Sequence, residues 1–274
     1  MTPTLRSARA YAASAARVAR RGGFRPLGRE ERLVFVVGSP RSGTSFTGKS
    51  LGSQPGFVDL DEVTPLKAVL PRLAGEPRDR AARELRTILE RVRLLGLARG
   101  LRAVEQTPET SFVLEAALVA YPQATAVHVL RDGRDVVCSL LERGWLRAER
   151  GESDDAGLAY GAHSRFWVEP ERREEFEHAS EARRCAWAWR RYVTAAAAAP
   201  ERTVELRYEA LVESPQTEAD RIAAALGSEP GPLRRAFAEA HGSSLGRWRR
   251  DLTAEQIADV EAEAGALLAE LGYH

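Results

Sequence analysis

The chain has 274 residues, 44% of them hydrophobic, and carries a net charge of +1. It is long enough to bury a substantial core in a single α/β domain. A near-neutral total excludes a partner recognised by bulk charge, so no nucleic acid is expected. The two cysteines, Cys138 and Cys185, form no CxxC and no zinc-ligand spacing, so no metal is expected, and they fit a reducing, cytoplasmic compartment. The absence of Asn removes any N-glycosylation acceptor.

Charge is unevenly distributed. Residues 1–29 hold seven arginines and no Asp or Glu, which leaves −6 for the remainder. This segment reads as a basic N-terminal helical segment or tail, ahead of one domain over residues 30–274. Leu5, Ala8, Ala12, Ala15, Ala16 and Ala19 line one side of it. A face made mostly of Ala offers little area to bury, so a solvated helix is the expectation. A weak membrane-surface contact and a transit peptide are the alternatives. No run of 18 apolar residues occurs anywhere, so nothing is expected to span a membrane.

Residues 33–37 form an apolar run that ends at Gly38 and predicts a buried parallel strand. A helix follows over 44–53. Residues 57–60 and 101–104 are short strand candidates, with helices over 77–98 and 110–120. Residues 125–130 predict a second clear strand, followed by a helix over 133–143. The stretch 144–182 breaks the pattern. It is rich in charge and Gly and contains Trp145, Tyr160, Phe166 and Trp167, as an acceptor-side insertion would. A helix over 181–198, a weaker strand over 202–206 and helices over 214–226 and 253–271 complete the chain. Strands alternating with helices define an α/β fold with a mostly parallel central sheet flanked by helices. Such sheets bind ligands at the carboxyl ends of their strands.

The segment from Gly38 to Ser45 lies where a strand gives way to a helix. Glycines there allow a tight turn, successive N–H groups converge, and the helix N-terminus adds positive potential. Ser42, Thr44 and Ser45 supply hydroxyls, and Arg41 a permanent cation. Two registers compete. Gly43 to Ser50 matches GxxxxGK[ST], which would give Lys49 and Ser50 the phosphate and Mg²⁺ roles of an ATP-dependent kinase. That match begins five residues past the strand end and must absorb Phe46, so the earlier register is preferred.

Pro40-Arg41-Ser42-Gly43-Thr44-Ser45 resembles the 5′-phosphosulfate loop of sulfotransferases that use 3′-phosphoadenosine 5′-phosphosulfate (PAPS). The resemblance implies a P-loop NTPase-like sulfotransferase architecture. It further implies that this loop wraps the 5′-phosphate and sulfuryl group, that Arg41 neutralises the leaving oxygen, and that Phe46 lies near the adenine.

A second cluster runs from Val129 to Leu140. Arg131 ends a strand, Asp132 can cap the next helix, and Ser139 follows two turns in. Arg131 with a hydroxyl can grip a phosphate, or can pair structurally with Asp135 while Ser139 bonds back to its own helix. This run is similar to the family's 3′-phosphate motif, which implies that Arg131 and Ser139 hold the 3′-phosphate. Arg207-Tyr208-Glu209-Ala210-Leu211 resembles a further family segment, which implies a place for Tyr208 near the adenine; a core Tyr is the alternative. Ser244 to Arg249 resembles the family's C-terminal glycine-tryptophan loop, although His241-Gly242-Ser243 stands where some members carry a phosphate-binding Arg-Lys-Gly. Gln106 occupies the position of a Lys that other members often carry.

Sulfuryl transfer needs a base for the acceptor proton. Glu62 is the candidate. It follows the phosphate-loop helix and resembles the catalytic Glu of tyrosylprotein sulfotransferases. Asp61 is its nearest rival, while His128 reads as core and His163 lies in the insertion. Trp187 and Trp189 line either an acceptor lid or a helix core. The expected reaction carries sulfuryl from PAPS to a hydroxyl of a small-molecule, natural-product or glycan acceptor and releases 3′-phosphoadenosine 5′-phosphate (PAP). A non-catalytic PAP-binding protein is the third reading. The ratio of 38 Arg to 2 Lys points to a GC-rich, bacterial genome.

Overall fold

The computed structural model describes residues 3–22, 28–148 and 165–274. Helix α1 (Pro3–Gly22) precedes strand β1 (Val34–Val37), α2 (Thr44–Gly52) and β2 (Phe57–Asp61). Short helices α3 (Thr64–Lys67) and α4 (Leu70–Leu73) lead into α5 (Arg78–Leu95) and β3 (Arg102–Glu105). A 3-10 turn (Pro108–Val113) and α6 (Leu114–Ala120) precede β4 (Thr125–Leu130) and α7 (Gly133–Arg143). Then come α8 (Arg173–His178), α9 (Glu181–Ala196), β5 (Thr203–Arg207), α10 (Tyr208–Glu213), α11 (Pro215–Leu226), α12 (Pro230–Phe237), α13 (Trp248–Asp251) and α14 (Ala254–Glu270).

The five strands form one parallel sheet in the order β2-β3-β1-β4-β5. The chain leaves β1 toward β2 on one side and later returns to β4 on the other. The tips of β1 and β4 therefore flank the crevice at which a doubly wound sheet takes its ligand. The alternating pleat of β1 sends Leu33, Phe35 and Val37 into the layer of α5 and α6, and Val34 and Val36 into the layer of α2, α11 and α12. Full burial of a side chain such as Phe35 stabilises the fold by about 1.5–3 kcal/mol. A third core, around Trp187 and Trp189, joins α7, α9 and α14.

The basic N-terminal segment is not the solvated helix that its Ala face suggests. Of the predicted face, Ala8, Ala12 and Ala16 are exposed and Ala19 is half-buried, while Ala15 packs inward beside Ser14 and Val18. Val18 is wholly buried against Gly96, where a Cβ would lie 2.7 Å from its side chain. Arg17 and Arg21 turn onto the protein. Arg17 donates to the Glu62 carbonyl at 2.9 Å and to Thr64 Oγ1 at 3.2 Å. Arg21 pairs with Asp59 at 2.7 Å and with Asp61 at 3.2 Å. No helix among the described residues is long and apolar enough to cross a membrane. Part of the predicted insertion, residues 149–164, lies outside the described residues and takes Tyr160 and His163 with it.

Candidate active site

β1 delivers the chain to Gly38, whose φ of +138° suits glycine, and a Cβ there would lie 2.4 Å from the Val129 carbonyl oxygen. The loop tightens through a hydrogen bond from Ser42 N–H to the Ser39 carbonyl at 3.2 Å. Gly43 then caps α2 at φ +101° with no side-chain cap bond, and a Cβ on it would strike the Tyr208 ring at 2.6 Å. The first-turn N–H groups of α2 and its dipole thus open on the loop. Ser42 Oγ is buried with no hydrogen-bond partner. Arg41 adopts φ +71°, and Asp61, next in sequence to Glu62, adopts φ +60°; such strain gathers at sites where function fixes the backbone.

This geometry removes the Walker register. Residues 44–52 are helix rather than loop, and Lys49 is exposed on it.

β4 delivers Arg131. Its side chain is buried, and its guanidinium carbon lies 5.2 Å from the Tyr208 ring centroid. Nη2 donates to the Ser244 carbonyl at 2.5 Å and to Ser244 Oγ at 3.0 Å, and Nη1 reaches the Arg41 carbonyl at 3.4 Å. Its Nε is buried without a partner. The structural alternative, an Arg131–Asp135 ion pair, is long at 3.9 Å. Asp135 instead accepts the N–H groups of Gly246 at 2.7 Å and Trp248 at 3.1 Å, which holds the C-terminal loop over the site. Asp132 caps α7 by accepting from Arg134 N–H at 2.9 Å, and Trp189 Nε1 fixes the Arg131 carbonyl at 3.1 Å. Ser139 does not bond back to its helix. It accepts from Arg41 Nε at 2.9 Å, which draws the two predicted clusters together.

A cavity of about 280 Å³ opens beside the loop. Pro40, Arg41, Thr44 and Ser45 line it together with Trp145, Leu146, Trp167 and Tyr192, and the Arg41 guanidinium carbon lies 5.7 Å from the Trp145 ring centroid. Glu62 lines it with Lys67 and Glu109. Lys67 Nζ lies 2.7 Å from Glu62 Oε2 and 3.9 Å from Glu109 Oε1, and Tyr192 Oη donates to Glu109 Oε1 at 3.3 Å. Glu105, wholly buried behind this group, accepts from Thr107 N–H at 2.8 Å and Thr110 Oγ1 at 2.9 Å, and burial pushes its carboxyl up to about 7. Thr107 Oγ1 in turn accepts the Val63 N–H at 3.0 Å, next to Glu62.

Other predicted residues sit elsewhere. Asp61 does not line the cavity and instead accepts from Gln106 Nε2 at 2.7 Å. His128 is buried in β4 beneath Gly38, and desolvation depresses its imidazole to about 4. Phe46 is half-buried with its ring centroid 6.3 Å from that of Phe237. Trp187 and Trp189 are wholly buried and belong to the core. Lys67, Glu109 and Tyr192 carry no motif, and Glu109 and Tyr192 meet across 83 residues of chain. Among the described residues no cluster of three or more His, Cys, Asp or Glu side chains is arranged to hold a metal ion.

A family model described as "Sulfotransferase family" matches residues 86–230, more than half of the chain. The chain belongs to the sulfotransferase family. The matched span of this sulfotransferase includes Arg131, Ser139 and Tyr208, whereas the loop at Arg41 and the Glu62 segment precede it. Its fold is similar to that of the sulfotransferase domain from the curacin biosynthetic pathway, with a TM-score of 0.55 at 15% identity over 90% of this chain and 99% of the other. The sulfotransferase domain of the Synechococcus PCC 7002 olefin synthase gives 0.51 at 13% identity, over 88% and 98% of the two chains. Sulfotransferase STF9 from Mycobacterium avium gives 0.52 at 13% identity, over 90% and 78%. At these identities the likeness is one of fold. No curated protein sequence matches the chain.

Proposed function

We propose that this sulfotransferase moves the sulfuryl group of PAPS to a hydroxyl of a small-molecule, natural-product or glycan acceptor and releases PAP. The Arg41–Ser139 hydrogen bond carries this reading, because it brings the loop after β1 within reach of the helix after β4. One nucleotide lying across two adjacent strand tips would engage both clusters. The loop N–H groups and the hydroxyls of Ser42, Thr44 and Ser45 would hold the 5′-phosphosulfate. Arg131 and Ser139 would hold the 3′-phosphate, and Tyr208 and Phe46 would flank the adenine. The buried, unpartnered Ser42 Oγ and Arg131 Nε support the fit, since a phosphate oxygen satisfies such groups.

In this mechanism the acceptor hydroxyl enters the cavity and gives its proton to Glu62 as its oxygen attacks sulfur. The bond from sulfur to the bridging phosphate oxygen breaks in line, and its electron pair stays on that oxygen, where Arg41 offsets the charge. The aromatic and aliphatic wall at Trp145, Leu146 and Trp167 favours an acceptor with an apolar or planar body beside the reacting hydroxyl. Two buried free thiols support a reducing, cytoplasmic setting.

Isothermal titration tests the donor. PAP should bind without added metal, and Arg131→Ala should abolish the heat. Binding of ATP with Mg²⁺ but not of PAP would sink the proposal. A screen of labelled PAPS against a panel of hydroxyl compounds identifies the acceptor.

A further inference from the structure

Lysine is almost absent from this chain, which uses 38 arginines against two lysines. Lys49 is exposed on α2. Lys67 is its opposite. It ends α3 with a side chain 3% exposed, between the Glu62 carboxylate at 2.7 Å and the Glu109 carboxylate at 3.9 Å. Glu109 Oε1 accepts from Tyr192 Oη, and all four residues line the cavity that Arg41 also lines.

A buried ammonium is stable only with close counter-charges and satisfied donors. Guanidinium is the usual cation in this chain, so a lysine here points to a need that a planar fork meets poorly. Its charge is compact, and its three rotatable donors can pass from one carboxylate to another without rebuilding the site. Lys67 stands between the Glu62 and Glu109 carboxylates, while Arg41, Arg143 and Arg165 also line the cavity. When Glu62 takes a proton, Glu109 remains as a counter-ion of Lys67.

We propose that Lys67 is a positioning residue for the base. It holds the Glu62 carboxylate toward the cavity while that group is charged. It shifts to Glu109, steadied by Tyr192, as Glu62 becomes protonated. The inference rests on the reading of Glu62 as the base. In the step itself the acceptor O–H breaks, its proton goes to a Glu62 oxygen, and its oxygen bonds sulfur. The sulfur–phosphate oxygen bond breaks with its electrons left on PAP. Lys67 keeps its proton throughout and exchanges only its hydrogen-bond partner.

The test compares Lys67→Met, Lys67→Arg, Glu109→Gln, Glu62→Gln and the Lys67→Met/Glu62→Gln double variant. Transfer from labelled PAPS is followed with 2-naphthol and with the best hydroxyl from the panel, and PAP affinity by titration calorimetry. Lys67→Met should lower kcat by about tenfold or more while the PAP Kd stays within about twofold, and Lys67→Arg should recover part of the loss. The double variant should be no slower than Glu62→Gln alone. A purely structural lysine would instead give losses that multiply and a weakened PAP site. Turnover of Lys67→Met near wild type, or multiplying losses with PAP binding intact, overturns the proposal. Should Lys67→Met fail to fold, Glu109→Gln carries the test. It should lower kcat without loss of PAP affinity and add nothing in the Glu62→Gln background, and unchanged turnover overturns the proposal. Wild-type turnover in Glu62→Gln would show that the base assignment itself has failed, and failure of every variant and the wild type to bind PAP would show that the donor reading has.

Discussion

Arg41 donates its Nε–H to Ser139 Oγ at 2.9 Å, which joins two residues 98 positions apart in the chain. Arg41 thus has one foot on the α7 cluster while its own loop wraps the end of β1. Arg41→Ala should cost about 3–4 kcal/mol of transition-state stabilisation, a loss of about 10²–10³-fold in transfer, with a smaller loss of PAP affinity. Ser139→Ala should do the reverse. It should weaken PAP binding by about tenfold, as expected for a lost hydrogen bond to a charged group, and change kcat little. Titration calorimetry and labelled transfer separate the two, and equal losses in both measurements would show that neither residue has a distinct end of the donor.

Arg131 is read as a planar fork, with Nη2 on Ser244, Nη1 toward the Arg41 carbonyl and Nε unpartnered. An ammonium has the charge but not this geometry. Arg131→Lys should therefore bind PAP at least about tenfold more weakly than wild type, since a charge-assisted pair contributes about 1.5–3 kcal/mol. Adenosine 5′-phosphosulfate, which lacks the 3′-phosphate, should bind the wild type and Arg131→Lys alike. A Lys variant with full PAP affinity would remove the 3′-phosphate from this position.

The N-terminal helix fixes the segment that carries the candidate base. Arg17 holds the Glu62 carbonyl and Thr64, and Arg21 holds Asp59 and Asp61 on the turn just before it. Asp61 is strained at φ +60°, so the turn depends on outside support. The Arg17→Ala/Arg21→Ala variant should lose about 1–2 kcal/mol of stability from these hydrogen bonds. Its Tm should drop by several degrees for a chain of this size. Transfer should fall further than PAP affinity, because α1 packs against β2 and α3, which adjoin Glu62. An unchanged kcat would mean that α1 only covers the sheet edge.

The sheet and both strand-tip clusters were legible because they depend on local signals. Apolar runs at 33–37 and 125–130 each end at a residue that changes the backbone's task, Gly38 in one case and Arg131 in the other. The α1 contact was legible only at Ala15, because Ala8, Ala12 and Ala16 of the expected face are exposed while Val18 and two arginines do most of the docking. The cavity's acceptor side was equally hidden. Lys67, Glu109 and Tyr192 meet from α3, the 3-10 turn and α9, and only the folded chain brings a lone lysine against two carboxylates. Ser244 stands in a segment whose resemblance was legible, but its contact with Arg131 was not. It lies 113 residues from Arg131, and a backbone carbonyl carries no sequence signal.

His128 gives a test of the core beneath the loop. Burial is the main cause of its depressed imidazole, about 4 in the fold against 6.5 when free, and the charge of Glu205 opposes it. Between these values the unfolded chain binds a proton at His128 and the folded chain does not, so folding loses stability as the pH falls from about 6.5 toward 4. The loss approaches ~1.4 kcal/mol per pH unit and ~3 kcal/mol in all. Glu105, raised to about 7, has the opposite slope in part of this window, since the folded state binds the extra proton. Its contribution is common to wild type and a His128→Leu variant and cancels in their difference. Urea midpoints across the window should therefore fall more steeply for wild type than for His128→Leu. Parallel curves would mean that the imidazole reaches a proton in the folded state, and that the strand beneath the phosphate loop opens to water more readily than its packing against Gly38 indicates.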